Sequence, residues 1–192
     1  PGIPDAEHRA QPLNYVWKAK QGLKREGYDE AWAVFDRDGH PRLEEAFAYA
    51  NQKIEGTKVN VAFNSISFEL WILLHFELSM QAFEKSLCRS GNNLLFCGSN
   101  KVDHPDCHGV RCVCGRIVSK GYLEYEQRHG KPKKSFSIKA LRPHINDALE
   151  NAVRLYNRQV ETGAPLRQLD PIVTTHRLVF ELLNPSVNFI WV

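Results

Sequence analysis

No apolar run in this sequence approaches the length of a bilayer span, so a transmembrane helix is excluded on sequence grounds. Nothing at the start reads as a secretory signal, because Pro1-Gly2-Ile3-Pro4-Asp5 is polar and proline-rich. An excess of either charge is also lacking. The 25 Lys and Arg against 22 Asp and Glu leave a formal net charge of +3, too weak by itself to argue for a nucleic-acid partner. No internal repeat is visible. Cysteine is absent outside residues 88–114, where all five lie. An odd, clustered set argues against a disulfide framework and for metal ligands or reduced thiols. The expectation is a cytoplasmic protein with no membrane partner. A chain that opens on proline is expected to be a processed product or a piece of something longer.

A chain of 192 residues, 43% of them hydrophobic, can bury one proper core, so residues 1–192 are read as a single α/β domain. It is organised around Glu30-Ala31-Trp32-Ala33-Val34-Phe35-Asp36-Arg37-Asp38-Gly39. Trp32, Val34 and Phe35 suit a buried strand. Asp36 and Asp38 stand two residues apart, which places both on one face while the backbone stays extended. Such a pair repels itself unless a cation sits between, and magnesium takes hard oxygen ligands from one or two carboxylates plus water. The plainer alternative is an acidic turn.

Before this strand, residues 13–26 have Leu13, Val16, Trp17, Lys20 and Leu23 on one helical face, with Gly27 as the stop. After it, Pro41 opens a helix carrying Leu43, Ala46, Phe47, Ala50 and Ile54, closed by Gly56. Residues 58–63 read as a second strand. Strand, helix, strand at this spacing predicts a parallel βαβ unit. Residues 64–76 then predict a mostly buried helix capped by Ser65 or Ser67, interrupted by Glu69 and His75. Glu69 is a candidate for function or for a structural hydrogen bond, and His75 reads as a core histidine. Asn64 and Ser65, following the second strand, belong on the same edge as Asp36, outside the carboxyl ends of the strands, where open α/β sheets hold ligands.

Residues 88–116 lose all periodicity and read as a Cys/His-rich insertion. Residues 137–159 resume helical spacing through Ile138, Leu141, Ile145, Leu149, Ala152, Val153 and Tyr156. Asp170-Pro171 predicts the cap and first position of a last helix with Val173, Leu178, Val179, Leu182 and Leu183 inward, so that residues 142–184 supply the carboxyl-terminal helices. The apolar tail 187–192 is expected to pack on the body or on a partner, and a homo-oligomer is compatible with the sequence.

The run Trp32-Ala33-Val34-Phe35-Asp36-Arg37-Asp38, followed after a helix by Val61-Ala62-Phe63-Asn64-Ser65-Ile66-Ser67-Phe68-Glu69-Leu70-Trp71-Ile72-Leu73-Leu74-His75-Phe76, resembles the RloB-like family. The Phe-Glu-Leu-Trp segment is its most specific part, and residues 122–184 resemble the family more loosely. The resemblance implies a Toprim-like parallel-sheet core flanked by helices. It also implies a magnesium- or manganese-dependent nuclease cleaving phosphodiester bonds in phage defence, associated with restriction loci or abortive infection and often beside a partner ATPase. Asp36 and Asp38 match the metal-holding pair of such a core, and Glu69 can serve as a third ligand or general base. The family usually opens with a strand ending in a Glu-Gly-Glu-like turn, and no counterpart stands before Asp36. Ser-Asn-Pro-Cys is also replaced here by Asn64-Ser65-Ile66-Ser67. The competing expectation is a non-catalytic module that binds nucleic acid or the ATPase.

Two further sets remain. Cys97, Cys107, Cys112 and Cys114, with His104 or His108 able to replace one, can supply the four ligands of a structural zinc site, although none of the spacings is a paired CxxC. The alternative is a reduced thiol-bearing loop. Lys120, Arg128, Lys131, Lys133, Lys134, Lys139 and Arg142, interleaved with Tyr122, Tyr125 and Phe136, are either a solvated surface or a track for a phosphate backbone, with Lys131, Lys133 and Lys134 at its centre.

Overall fold

The computed structural model describes residues 11–37, 40, 42–83, 88–90, 93–95, 113–122, 126–128, 131–133 and 137–185. Helix α1 (Pro12–Gln21) starts on a proline, whose missing N–H is harmless in the first turn. It runs on through a π turn, Gly22–Glu26, to Gly27 at φ 68°, the left-handed position that glycine adopts without strain. Its inner face is the one expected: Val16, Lys20 and Leu23 are buried. A lysine survives there because its Nζ donates to the Gln52 carbonyl and lies 4.9 Å from the centroid of the Tyr49 ring. Burial pulls its pKa below the usual lysine value.

Strand β1 (Trp32–Asp36), helix α2 (Leu43–Asn51) and strand β2 (Asn60–Ser65) form the expected βαβ unit, with β1 and β2 parallel and Asp36 opposite Asn64. Alternation along β1 buries Ala33 and Phe35, whereas Val34 is 43% exposed and does not join the core. Helix α2 ends at Asn51, so Ile54 and Gly56 lie in the following turn and not in the helix. Strand β2 runs two residues further than expected and is central, with Ala62, Phe63, Asn64 and Ser65 all buried. On its far side it pairs antiparallel with β7 (Ile172–Val173), giving the order β1-β2-β7.

Strand β7 corrects the expectation for the last helix. Asp170 is not its cap: chain 170–174 crosses the sheet, and α7 (Thr175–Leu183) begins only after β7. The inward face shifts with it. Val173 is fully buried, while Leu182 and Leu183 are 71% and 54% exposed. Helix α3 (Phe68–Leu73) follows β2 and is almost wholly buried. Ser67 occupies its N-cap position without a side-chain cap bond, and its Oγ is buried with no hydrogen-bond partner among the described residues.

Strands β3 (Cys88–Ser90) and β4 (Asn93–Leu95) form a small hairpin ahead of α4 (Val113–Ser119). Strands β5 (Glu126–Arg128) and β6 (Lys131–Lys133) form another. Helix α5 (Ile138–Leu141), a 3-10 turn at Arg142–His144 and α6 (Ile145–Val160) make a nearly continuous helical run, with Pro143 absorbed in the tight turn. Its buried face is Ala148, Ala152 and Leu155, while Ile138 and Val153 stay exposed against expectation.

One core joins α1, β1, α2 and β2 around Phe35, Phe47 and Phe63. The other joins α3, α4 and α6 around Leu70, Ile72, Leu73, Ile117 and Leu155. The result is a mixed α/β fold: a small three-stranded sheet flanked by helices. No described helix is long and apolar enough to cross a membrane.

Candidate functional site

The carboxyl ends of β1 and β2 and the start of β7 meet along one edge, and the polar side chains there form two lines, built on the successive residues Asn64 and Ser65, whose side chains leave β2 on opposite faces. In the first, Thr175 Oγ1 donates to Asn64 Oδ1 at 2.9 Å, and Asn64 Nδ2 donates to Asp36 Oδ1 at 3.1 Å. The geometry fixes the amide. An oxygen of Asp36 takes an N–H, so the Asn64 NH₂ group faces it, and the Asn64 oxygen is left to the hydroxyl of Thr175, which can donate. Asn64 is fully buried and Thr175 nearly so, so this orientation is held out of competition with solvent.

In the second line, Arg37 Nη1 donates to Ser65 Oγ at 3.3 Å, and Ser65 Oγ donates to Asp170 Oδ1 at 3.0 Å. The same Nη1 lies 3.6 Å from Asp170 Oδ2. Three strands therefore contribute to one strip. The neighbouring Thr174 locks it to the sheet: its N–H donates to the Phe63 carbonyl, and its Oγ1 accepts from the Phe63 N–H at 2.8 Å.

Thr175→Val should isolate the role of the first line. It leaves the buried Asn64 oxygen unpaired, a loss of about 1–3 kcal/mol. It also frees the group that orients Asp36, and such partners are typically worth about 10–100-fold in metal affinity or activity. Urea unfolding measures the first effect. Manganese titration of wild type and of the folded variant tests whether Asp36 is such a ligand, and equal titrations would leave Thr175 a purely structural residue.

His176, next to Thr175, is 2% exposed, and its Nδ1–H donates to the Val173 carbonyl at 2.9 Å. Burial, assisted by the Arg177 charge and opposed by that hydrogen bond, pushes its pKa from 6.5 to about 4. Above pH 6.5 the ring is neutral whether the chain is folded or unfolded. Below it the unfolded chain takes the proton first, so stability falls as pH drops from 6.5 towards 4, by roughly 3 kcal/mol in all. Burial lowers the pKa of His75 too, which adds in the same direction. The urea midpoint of His176→Gln should therefore fall less steeply over that range than that of the wild type. Parallel profiles would show that His176 does not carry the effect.

The sequence-derived candidates divide as follows. Asp36 and Asn64 come together as expected, and Ser65 joins the same edge through Arg37 and Asp170. Asp38 lies outside the described residues. Glu69 is 3% exposed on the first turn of α3, a carboxylate withdrawn from solvent. His75 is the core histidine expected, with Nδ1–H donating to the Trp71 carbonyl at 3.0 Å. Cys114 is buried on α4, while Cys97, Cys107, Cys112, His104 and His108 lie outside the described residues. Lys131 and Lys133 belong to β6, opposite Arg128 and Glu126, and Lys134 lies outside the described residues. Among the described residues no three His, Cys, Asp or Glu side chains gather to hold a metal ion. Asp36 offers hard oxygen of the kind magnesium takes from one or two carboxylates, the rest coming from water and substrate phosphate.

Arg37, Asp170 and Thr175 were not expected at the edge. Arg37 stands between the two aspartates and was legible only as their spacer, while Asp170 was read as a helix cap. A separate cleft of about 490 Å³ opens at the amino ends of β1 and β2. Glu30, Lys58, Arg177 and Glu181 contribute two charges of each sign to its wall, and neither Asp36 nor Asp170 lines it.

No curated protein and no solved structure matches this chain. A family model described as RloB-like protein matches residues 3–182, nearly the whole chain, and with the strand-end aspartate and the Phe-Glu-Leu-Trp helix in place this protein belongs to the RloB-like family.

Proposed function

We propose that the carboxyl edge of β1 and β2 is the centre of a Toprim-like, metal-dependent nuclease that cleaves nucleic-acid phosphodiester bonds in phage defence. The observation that carries this reading is the Asp36 carboxylate, set at the end of a parallel strand and fixed as an acceptor by the Thr175–Asn64 line. A charge held in that way at a strand end suits a cation site better than an acidic turn. Asp36 and, by its spacing, Asp38 would hold magnesium or manganese. The bound ion would carry charge on the phosphoryl oxygens and lower the pKa of an attacking water. Asn64 orients Asp36. Glu69 would serve as the third ligand or general base, and Lys131 and Lys133 of β6, together with Lys134, would follow the phosphate backbone.

The test is cleavage of labelled DNA and RNA with magnesium or manganese, comparing wild type with Asp36→Ala plus Asp38→Ala. Loss in the double variant is expected, and equal activity in both removes the site. Wild-type binding without cleavage would favour the non-catalytic module, with nucleic acid or a partner ATPase as its ligand.

A further inference from the structure

We propose that Arg37 is a phosphate-binding residue of this edge, held ready by Ser65 and Asp170 as positioning residues. The inference rests on reading the edge as a nucleic-acid site. Arg37 follows the last residue of β1, and its backbone N–H donates to the Asn64 carbonyl at 2.9 Å, so the root of the side chain is fixed to the central strand. Its tip is fixed as well. Ser65 Oγ accepts from Nη1 and donates to Asp170 Oδ1, and Asp170 Oδ2 stands 3.6 Å from the same Nη1. Ser65 is fully buried, so the support does not drift.

A guanidinium has five N–H donors in a rigid fork that matches a phosphate. Among the described residues, only Nη1 of Arg37 is engaged. The side chain keeps 36% of its surface exposed, and Asp170 keeps 31%. An ion pair this open and this long adds little to stability, so holding the fold together does not account for the arrangement. Pre-orienting a long, rotamer-rich side chain does account for it, since binding then loses less conformational freedom.

Charge supports the same assignment. Asp36 and Asp170 both present carboxylates at this edge and would repel an approaching polyanion. Arg37 is a cation that the structure ties to Asp170 at this edge. A phosphate gripped by its remaining donors would be held at the same strand end, one residue on from Asp36, at the edge where the proposed chemistry takes place.

The experiment measures binding without cleavage: fluorescence anisotropy of a labelled DNA duplex, and of an RNA hairpin, in EDTA across a salt series. Arg37→Gln should weaken binding of the preferred probe by roughly tenfold, the scale of one charge-assisted hydrogen bond. It should also lower the slope of log Kd against log salt by about 0.9 for a duplex, one phosphate contact. Arg37→Lys should weaken binding while keeping the slope, because the charge stays and the fork is lost. Ser65→Ala, which removes the bridging hydroxyl without changing the charge, should likewise weaken binding and keep the slope, and circular dichroism confirms that each variant is folded. A folded Arg37→Gln with unchanged affinity and slope overturns the proposal, as does a wild type that binds neither probe. A wild type that binds both but never cleaves with magnesium or manganese would sink the nuclease reading alone, and Arg37 would still stand or fall on its slope.

Discussion

On the proposed nuclease reading, Asp36→Asn should lower metal-dependent cleavage by roughly three orders of magnitude and leave the fold intact. The substitution is nearly isosteric. An asparagine carbonyl at position 36 can still accept from Asn64 Nδ2, so the 3.1 Å bond and the line back to Thr175 survive. What disappears is the negative charge, and with it the electrostatic hold on a divalent cation. Metal-assisted charge stabilisation is worth several kcal/mol at the transition state, and each 1.36 kcal/mol is a factor of ten, which gives about a thousandfold. Single-turnover cleavage measures the loss, and the urea midpoint of the same variant should stay within about 0.5 kcal/mol of wild type, as for changes that remove no packing or buried bond. A folded Asp36→Asn that cleaves within a few-fold of wild type would exclude Asp36 as a metal ligand. A variant that loses both fold and activity would make the Asn64 contact structural first.

Which of these features the sequence disclosed follows from how local each one is. The βαβ unit was legible because α2 repeats apolar residues at helical spacing between two apolar strands, and parallel pairing then follows from the crossover. That unit alone placed Asp36 on the edge where open α/β sheets hold ligands. The buried α3 helix and the inner face of α1, Lys20 included, were legible for the same reason. Strand β7 was not, because two residues, Ile172 and Val173, are too few to show any period, and Asp-Pro opens helices as readily as it turns chains. The edge itself was half legible. Asp36 and Asn64 could be placed from their own strands. Thr175 and Asp170 lie 111 and 105 positions from the residues they touch, and no local pattern encodes that. Val34, Leu182 and Leu183 were assigned to the interior by hydrophobicity, but solvent exposure of an apolar side chain is common and leaves no mark in sequence.

The site also depends on what lies beneath it. Phe63→Ala should destabilise the protein by about 4–5 kcal/mol, the largest stability effect expected of a single substitution here. Phe63 is fully buried in the middle of β2, one residue before Asn64. Its ring meets Phe47 at 5.2 Å and Phe35 at 6.0 Å between centroids, both edge to face, and Phe35 meets Phe47 at 5.7 Å. Removing one ring of three leaves a cavity among rigid neighbours that belong to a strand and a helix, so little collapse can fill it. It also forfeits two aromatic contacts worth about 0.5–1.5 kcal/mol each beyond area burial. Against a total stability of about 5–15 kcal/mol for a domain, this is a large fraction. The backbone of Phe63 makes both hydrogen bonds to Thr174, so loosening β2 at this point also slackens the register that sets Thr175 against Asn64. Two measurements follow. The urea midpoint should fall with the m-value unchanged, and, on the proposed reading of the edge as a metal site, the fraction that remains folded should hold manganese more weakly than wild type, although Phe63 offers no ligand. A shift below about 2 kcal/mol would mean that the neighbouring rings close over the cavity and that the three-ring cluster is not what holds the edge in place.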